Sequence, residues 1–328
     1  MAKKTAVKRR KTAKRAKRVT RRGVTKRGAI KRAVAAHAAA EDDFAGVRVT
    51  HPDRVLFPGQ GVTKRELIEY YLAVADRMLP HVAGRPLALV RCPRGSEGEC
   101  FFQKHANPGW PDAFKHVRIR EKSGAEQYLY IEDERGLVAA VQMGVLELHL
   151  WGSRADRVEE PDRLVFDLDP DEDLPFAAVV KASLQLKGML EEIDLTSFSM
   201  STGGKGIHVI VPLSRGHSWD AHREFAEAMA RHLAAQEPDR FVATMSKAKR
   251  RGKIFIDYLR NTRGASAIAP YSTRARPGAH VAFPVSWPAV SKLKDAQPAA
   301  VSDAAAKVAR MKEPWPGYFK LRQKLPTL

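Results

Sequence analysis

Residues 164–169 read Leu-Val-Phe-Asp-Leu-Asp, an apolar strand with one face that turns acidic toward its end. Side chains alternate across a strand, so Leu164, Phe166 and Leu168 share one face while Asp167 and Asp169 point away from it. A regular order follows: strand 164–169, helix about 175–192, strand about 197–201, strand 207–212, helix about 219–236 and strand 253–259. This β-α-β-β-α-β order predicts a ferredoxin-like (split βαβ) unit in an α/β (α+β) protein. Its first and third strands are central neighbours, its fourth lies beside the first, and its helices cover one face. The other face is left for function. Alternation turns Ile207, Val209 and Val211 toward the helices and His208 away from them. In the last strand Ile254, Ile256 and Tyr258 go inward and Asp257 goes outward. Three carboxylates and a histidine therefore converge on three adjacent strands.

Upstream the pattern is less regular. Thr63 followed by Glu66 is a capping-box signature, and Leu67, Tyr71, Leu72, Ala75 and Leu79 recur at helical spacing until "AGRP" ends the helix. Strands are predicted at 86–91 and 127–132, with a loop-rich stretch containing "ECFFQKHANPGWPDAF" between them. A helix at about 136–146 runs into the strand "LELHLW". These elements define an N-terminal α/β module at about 43–155, ahead of the catalytic unit at about 160–260 and a C-terminal extension at 261–328.

Charge adds a further segment. Residues 1–32 hold 16 Lys or Arg and no acid, most of the formal net charge of +20. Residues 1–42 offer too few large apolar side chains to offset the entropy of folding, and read as a disordered basic arm that binds polyanions by counterion release. Nucleic acid is the expected polyanion; a solubility tail or linker is the plainer reading. The chain has 328 residues and two cysteines, Cys92 and Cys100, too few for a disulfide framework. No apolar run reaches the length of a membrane span. A cytoplasmic setting, at the nucleoid, is expected.

Clustered carboxylates repel one another unless a cation sits among them. Hard divalent ions with oxygen ligands suit Asp167, Asp169 and Asp257, and two such ions are the usual machinery for in-line attack on a phosphate. A solvated acidic strand end is the bland alternative. Beside the cluster, "STGGKGIHVIVPL" brings Thr202, Gly203, Gly204, Lys205 and Gly206 into a tight loop entering a strand, where backbone N–H groups can approach an anion. It is no Walker A loop, because a strand follows it. "MSKAKRRGK" and "NTRGASAIAPYSTRARPG" supply Arg250, Arg263, Arg274 and Arg276, suited to phosphate or to plain solvation. Phe101 and Phe102 are adjacent in a polar stretch; one exposed ring stacking on a base and burial of both are the two readings. Cys92, Cys100, His105 and His116 lack zinc spacing.

"VTHPDRVLFPGQGVTKRELIEYY", "FFQKH", "LELH", "RLVFDLDP", "GGKGIHV", "KIFIDYLRN" and "IAPYSTRARPG" together resemble the polymerase domain of bacterial DNA ligase D, in the archaeo-eukaryotic primase superfamily. The resemblance runs from about residue 46 to the C-terminus. It implies a primase-like core and a template-dependent nucleotidyltransferase that fills short gaps at DNA breaks in non-homologous end joining, preferring ribonucleotides. It implies Asp167, Asp169 and Asp257 as catalytic metal ligands for two Mn²⁺ (or Mg²⁺) ions. Thr202, Lys205, His208, Arg250 and Arg274 match positions that hold the incoming nucleotide, and His149 a position near its sugar. Arg54 and Lys64 match residues that hold the 5′-phosphate across a gap, and Phe101 and Phe102 aromatics on the template strand. The implied partners are gapped DNA with a 5′-phosphate, NTP or dNTP, a separate DNA ligase and an end-binding protein, with no membrane. Thr202 stands where a serine is often found, and Arg54 replaces a lysine. A stand-alone primase, an excision-repair gap filler and a non-enzymatic DNA-end scaffold are the competing readings. The basic arm favours a stand-alone chain.

Overall fold

The computed structural model describes residues 42–326; all of the basic arm but its last residue lies outside them. The described chain falls into two units, one ending at Thr50 and one beginning at His51. The first contains a short antiparallel pair, Asp43–Phe44 with Val47–Arg48.

The second unit opens with helix α1 (Lys64–Ala73), where the Thr63 side chain caps the Glu66 N–H and the Glu66 carboxylate accepts from the Thr63 N–H. One continuous helix was expected here. Instead it breaks at Val74, and α2 (Ala75–Val82) follows. The break lets Leu67, Ile68 and Tyr71 from α1 and Met78 and Val82 from α2 all reach full burial. Strands β1 (Leu87–Arg91) and β2 (Phe101–Gln103) come next, then helix α3 (Glu134–Gln142) and strand β3 (Val145–Leu150). The stretch between β2 and α3 contains an antiparallel ribbon, Lys115–Glu121 with Gly124–Tyr130, of which only the second strand was legible in the sequence.

The expected β-α-β-β-α-β order follows, with one short strand, β7, that was not expected: β4 (Arg163–Pro170), α4 (Phe176–Glu191), β5 (Phe198–Ser201), β6 (Ile207–Pro212), α5 (Trp219–Gln236), β7 (Phe241–Val242) and β8 (Ile254–Asp257). From the C-terminal extension come β9 (Ala267–Ile268), β10 (Phe283–Val285) and helix α6 (Val301–Arg310). Two sheets result. The larger sheet has the order β7-β8-β4-β6-β5-β10, and the smaller one β9-β3-β1-β2. As predicted, β4 lies between β6 and β8, antiparallel to both, and α4 and α5 pack against one face. Leu164, Phe166 and Leu168 are fully buried.

The opposite face is less open than expected. Val165, Phe198, Met200 and Ile210 form a core cluster with Ala267, Ile268, Ala282, Trp315 and Tyr318, all from the C-terminal extension. That extension covers half of the supposed working face and leaves only the end carrying the aspartates. The two cysteines also behave differently from expectation, joining as a Cys92–Cys100 disulfide. The pairing follows from register: Arg91 opposes Phe101 across β1 and β2, so the residues just beyond them are neighbours.

Candidate active site

Antiparallel register sets Asp167 directly opposite His208 on one side and Asp257 on the other. Directly opposed residues point to the same face, so one row of side chains runs Met200, His208, Asp167, Asp257 across four strands. Asp169 lies two residues further along, opposite Phe255. The His208 Nε2 is 3.4 Å from an Asp167 oxygen, and the buried Nδ1 of His208 has no partner.

The Gly-rich turn closes on the same spot. Gly203 has a φ of +66°, and a side chain there would meet the Val281 carbonyl. At Gly206 an added Cβ would lie 2.3 Å from the Leu168 carbonyl oxygen, so only glycine lets the turn reach β4. Thr202 organises the turn: its hydroxyl donates to the Gly206 carbonyl (3.0 Å) and accepts from the N–H groups of Gly204 (3.2 Å) and Gly206 (3.3 Å). Its methyl group therefore accompanies a hydroxyl turned into the loop. Asp167, Asp169, Thr202, Lys205, His208 and Arg274 all line one cavity of about 480 Å³.

Cations ring that cavity. Arg250 places its guanidinium 3.7 Å above the Phe255 ring and 3.7 Å from Asp169. Lys205 donates to Glu172 at 2.7 Å in an exposed pair. Arg274 donates to the Thr202 carbonyl at 3.1 Å and to Glu147 at 3.2 Å. Arg260 reaches both central carboxylates, 2.9 Å from Asp257 and 3.3 Å from Asp167. Burial pushes the Asp167 carboxyl up, but His208, Arg260 and Arg274 outweigh it and bring it down to about 2. Asp169 stays raised by burial and by the Asp167 charge, and Asp257 is raised by burial.

The smaller sheet contributes a second row. Glu147 accepts from the Ala275 N–H (2.7 Å), and its other oxygen is 2.7 Å from His149 Nε2. Burial raises the Glu147 carboxyl, yet His149 and Arg274 hold it down at about 2; burial lowers the His149 imidazole. The Phe102 ring stands edge-on to His149 with centroids 5.6 Å apart. Contrary to the expectation of one exposed ring at most, both are exposed, Phe101 by 43% and Phe102 by 62%. Their strand is the outer edge of its sheet.

Arg54 and Lys64 do not join this cavity. The Lys64 N–H donates to the Arg54 carbonyl at 2.8 Å; burial, and then the Arg54 charge, lower the Lys64 ammonium. The capping box already occupies the N–H groups at the start of α1, so a phosphate there would rest on the two side chains alone.

Glu147 and Arg260 were missed as functional candidates. A glutamate inside the buried strand of "LELH" was a signal for the first; nothing in "DYLRN" distinguished the second from a surface arginine. No group of three or more His, Cys, Asp or Glu among the described residues is placed to hold a metal ion; Arg260 bridges Asp167 and Asp257. The residues nonetheless fit a hard divalent cation: three carboxylates on adjacent strands, two with raised pKa.

Residues 63–315 match the family described as "LigD, primase-polymerase domain". The chain belongs to this family. A LigD primase-polymerase domain is a nucleotidyltransferase-type enzyme domain. The "Multifunctional non-homologous end joining protein LigD" of Pseudomonas aeruginosa is 40% identical over 293 residues, 89% of this chain and 35% of that protein. The protein of the same name from Mycolicibacterium smegmatis is 35% identical, over 77% of this chain and 34% of its own length. The chain spans about a third of the length of these curated relatives. Among solved structures, the polymerase domain of Mycobacterium tuberculosis ligase D in complex with DNA superposes with a TM-score of 0.75 at 31% identity, covering 80% of this chain and 94% of that one.

Proposed function

We propose that this LigD-type domain extends a primer into short gaps at DNA breaks during non-homologous end joining, copying a template and preferring ribonucleotides. The observation that carries this reading is the row His208, Asp167, Asp257 beside the Gly203–Gly206 turn, with His208 and Asp167 in one cavity with Lys205 and Arg274. Asp167, Asp169 and Asp257 would hold two divalent ions, Mn²⁺ or Mg²⁺. Bound there, such ions supply Lewis-acid activation of a primer hydroxyl and charge neutralisation on the phosphates. Lys205, Arg274 and the N–H groups of the Gly-rich turn bind the triphosphate, and Arg250 adds charge beside Asp169. His208 orients Asp167.

The sugar preference follows from Glu147. Its ionised carboxylate accepts a hydrogen from His149 Nε2, which fixes the neutral tautomer and leaves Nδ1 as an acceptor. A ribose 2′-hydroxyl can donate to that nitrogen; a deoxyribose cannot. Phe101 and Phe102 present exposed rings for template bases. Arg54 and Lys64 hold the 5′-phosphate on the far side of the gap. The relatives' names support the repair setting, as does the DNA bound by the M. tuberculosis domain.

Primer extension on a one-nucleotide gap tests the reading. Faster addition of NTP than dNTP, and faster filling beside a 5′-phosphate than a 5′-hydroxyl, are the expected results. Equal rates on both ends would remove gap filling at breaks in favour of general priming.

A further inference from the structure

The Arg260 guanidinium occupies the space between the two opposed carboxylates of the site, 2.9 Å from Asp257 and 3.3 Å from Asp167. We infer that Arg260 is a resident counter-cation: it holds the metal-free carboxylate pair together, and a divalent ion enters by displacing it. This deepens the metal reading given above and rests on it.

The local build supports a side chain that moves on a fixed base. Arg260 sits in the single turn Leu259–Asn261 that follows β8. Asn261 pins that turn to the central strand, accepting from the Val165 N–H (2.7 Å) and donating to the Val165 carbonyl (2.9 Å). The backbone at 260 is therefore anchored two residues from Asp167. The head group is held less firmly. Its Nε is buried with no partner, its NH1 reaches only the Ser266 carbonyl at 3.4 Å, and the side chain is 38% exposed.

Electrostatics gives the exchange its direction. Two carboxylates facing each other in a partly buried sheet need a positive charge between them. A guanidinium supplies one charge, through ion-pair contacts of a single nitrogen with one oxygen of each carboxylate. A divalent ion supplies twice that charge from a smaller volume and repels a guanidinium left in place. Arg260 also lines the phosphate cavity together with Lys205, Arg274 and Arg276. Once released it remains among those cations, free to pair with an incoming triphosphate. Metal entry and nucleotide binding are then linked through one side chain: each favours the Arg260 position that the other needs.

The test is Mn²⁺ binding to nucleotide-free protein, followed by the electron paramagnetic resonance of free Mn²⁺, and thermal melting with and without Mn²⁺. An occupied site lowers apparent affinity by the fraction of vacant molecules, so Arg260→Gln should bind Mn²⁺ roughly tenfold more tightly than wild type. Without metal, Arg260→Gln should melt below wild type, and saturating Mn²⁺ should restore the difference. Arg260→Lys, which keeps the charge, should stay close to wild type in both measurements. Equal or weaker Mn²⁺ binding by Arg260→Gln, or a melting loss that Mn²⁺ leaves in place, overturns the inference and leaves the metal reading standing. Mn²⁺ binding by wild type that survives Asp167→Asn and Asp257→Asn unchanged overturns the metal reading itself.

Discussion

Two rows of the same sheet face, one strand-period apart, have opposite fates. The row Phe198, Ile210, Val165 lies under Trp315 and Tyr318 as core. In the next row, His208 and Asp167 line a polar cavity, with Asp257 beside Asp167 on the neighbouring strand β8. Both rows follow the same alternation. What separates them is the cover: aromatic residues of the C-terminal extension seal the first row and Met200, whereas around His208 and Asp167 the same extension supplies Arg274 and Arg276 to a polar cavity. A half-covered sheet face thus gives the candidate site a dry, rigid neighbour.

The comparison breaks most completely at the polar row. Asp257→Ala and Asp167→Ala should abolish nucleotide addition in a primer-extension assay while anisotropy still reports DNA binding, because neither side chain is part of the core. Near-normal extension by either would remove these residues from the metal site.

The covered row should fail by stability instead. Trp315 is buried, stacks on Tyr318 with centroids 5.2 Å apart and donates from its indole N–H to the Ser199 carbonyl. Trp315→Ala should cost about 3–5 kcal/mol in urea unfolding. At a temperature where the variant remains folded, its nucleotide affinity should stay within about threefold of wild type; a larger loss would mean the two rows are not separate in function.

The turn that borders the polar row distinguishes hydroxyl from methyl. Thr202→Ser keeps the three hydrogen bonds and should bind nucleotide like wild type. Thr202→Val leaves the Gly204 and Gly206 N–H groups without their acceptor and should weaken nucleotide binding by about 1–3 kcal/mol, measured by calorimetry with a non-reactive triphosphate.

The smallest effect belongs to pH. His81 packs against Trp315, Tyr318 and Phe319. Burial, followed by the charges of Arg163, Arg85 and Arg154, lowers its imidazole to about 3. The unfolded chain binds this proton below about 6.5 and the folded chain does not, so stability is full above that pH and declines as pH falls toward 3. Melting at pH 7 and pH 5 should show a loss in wild type that His81→Leu reduces. An equal loss in both would assign the pH dependence elsewhere.

Alternation and element order alone were enough to place Asp167, Asp169, His208 and Asp257 on one face and to order the four strands that bear them, because strand periodicity is local and the split βαβ unit permits few arrangements. Glycine spacing likewise marked the turn at Gly203–Gly206. The sequence did not say which half of that face stays open, since burial depends on a segment more than 100 residues away that carries Trp315 and Tyr318. Nor did it reveal Glu147 beneath His149 and Arg274, the exposure of both Phe101 and Phe102 on an edge strand, or Arg260 between two aspartates. Each of these depends on which elements become neighbours across the two sheets, and contact between distant elements is decided by packing and charge compensation in three dimensions rather than by any local pattern.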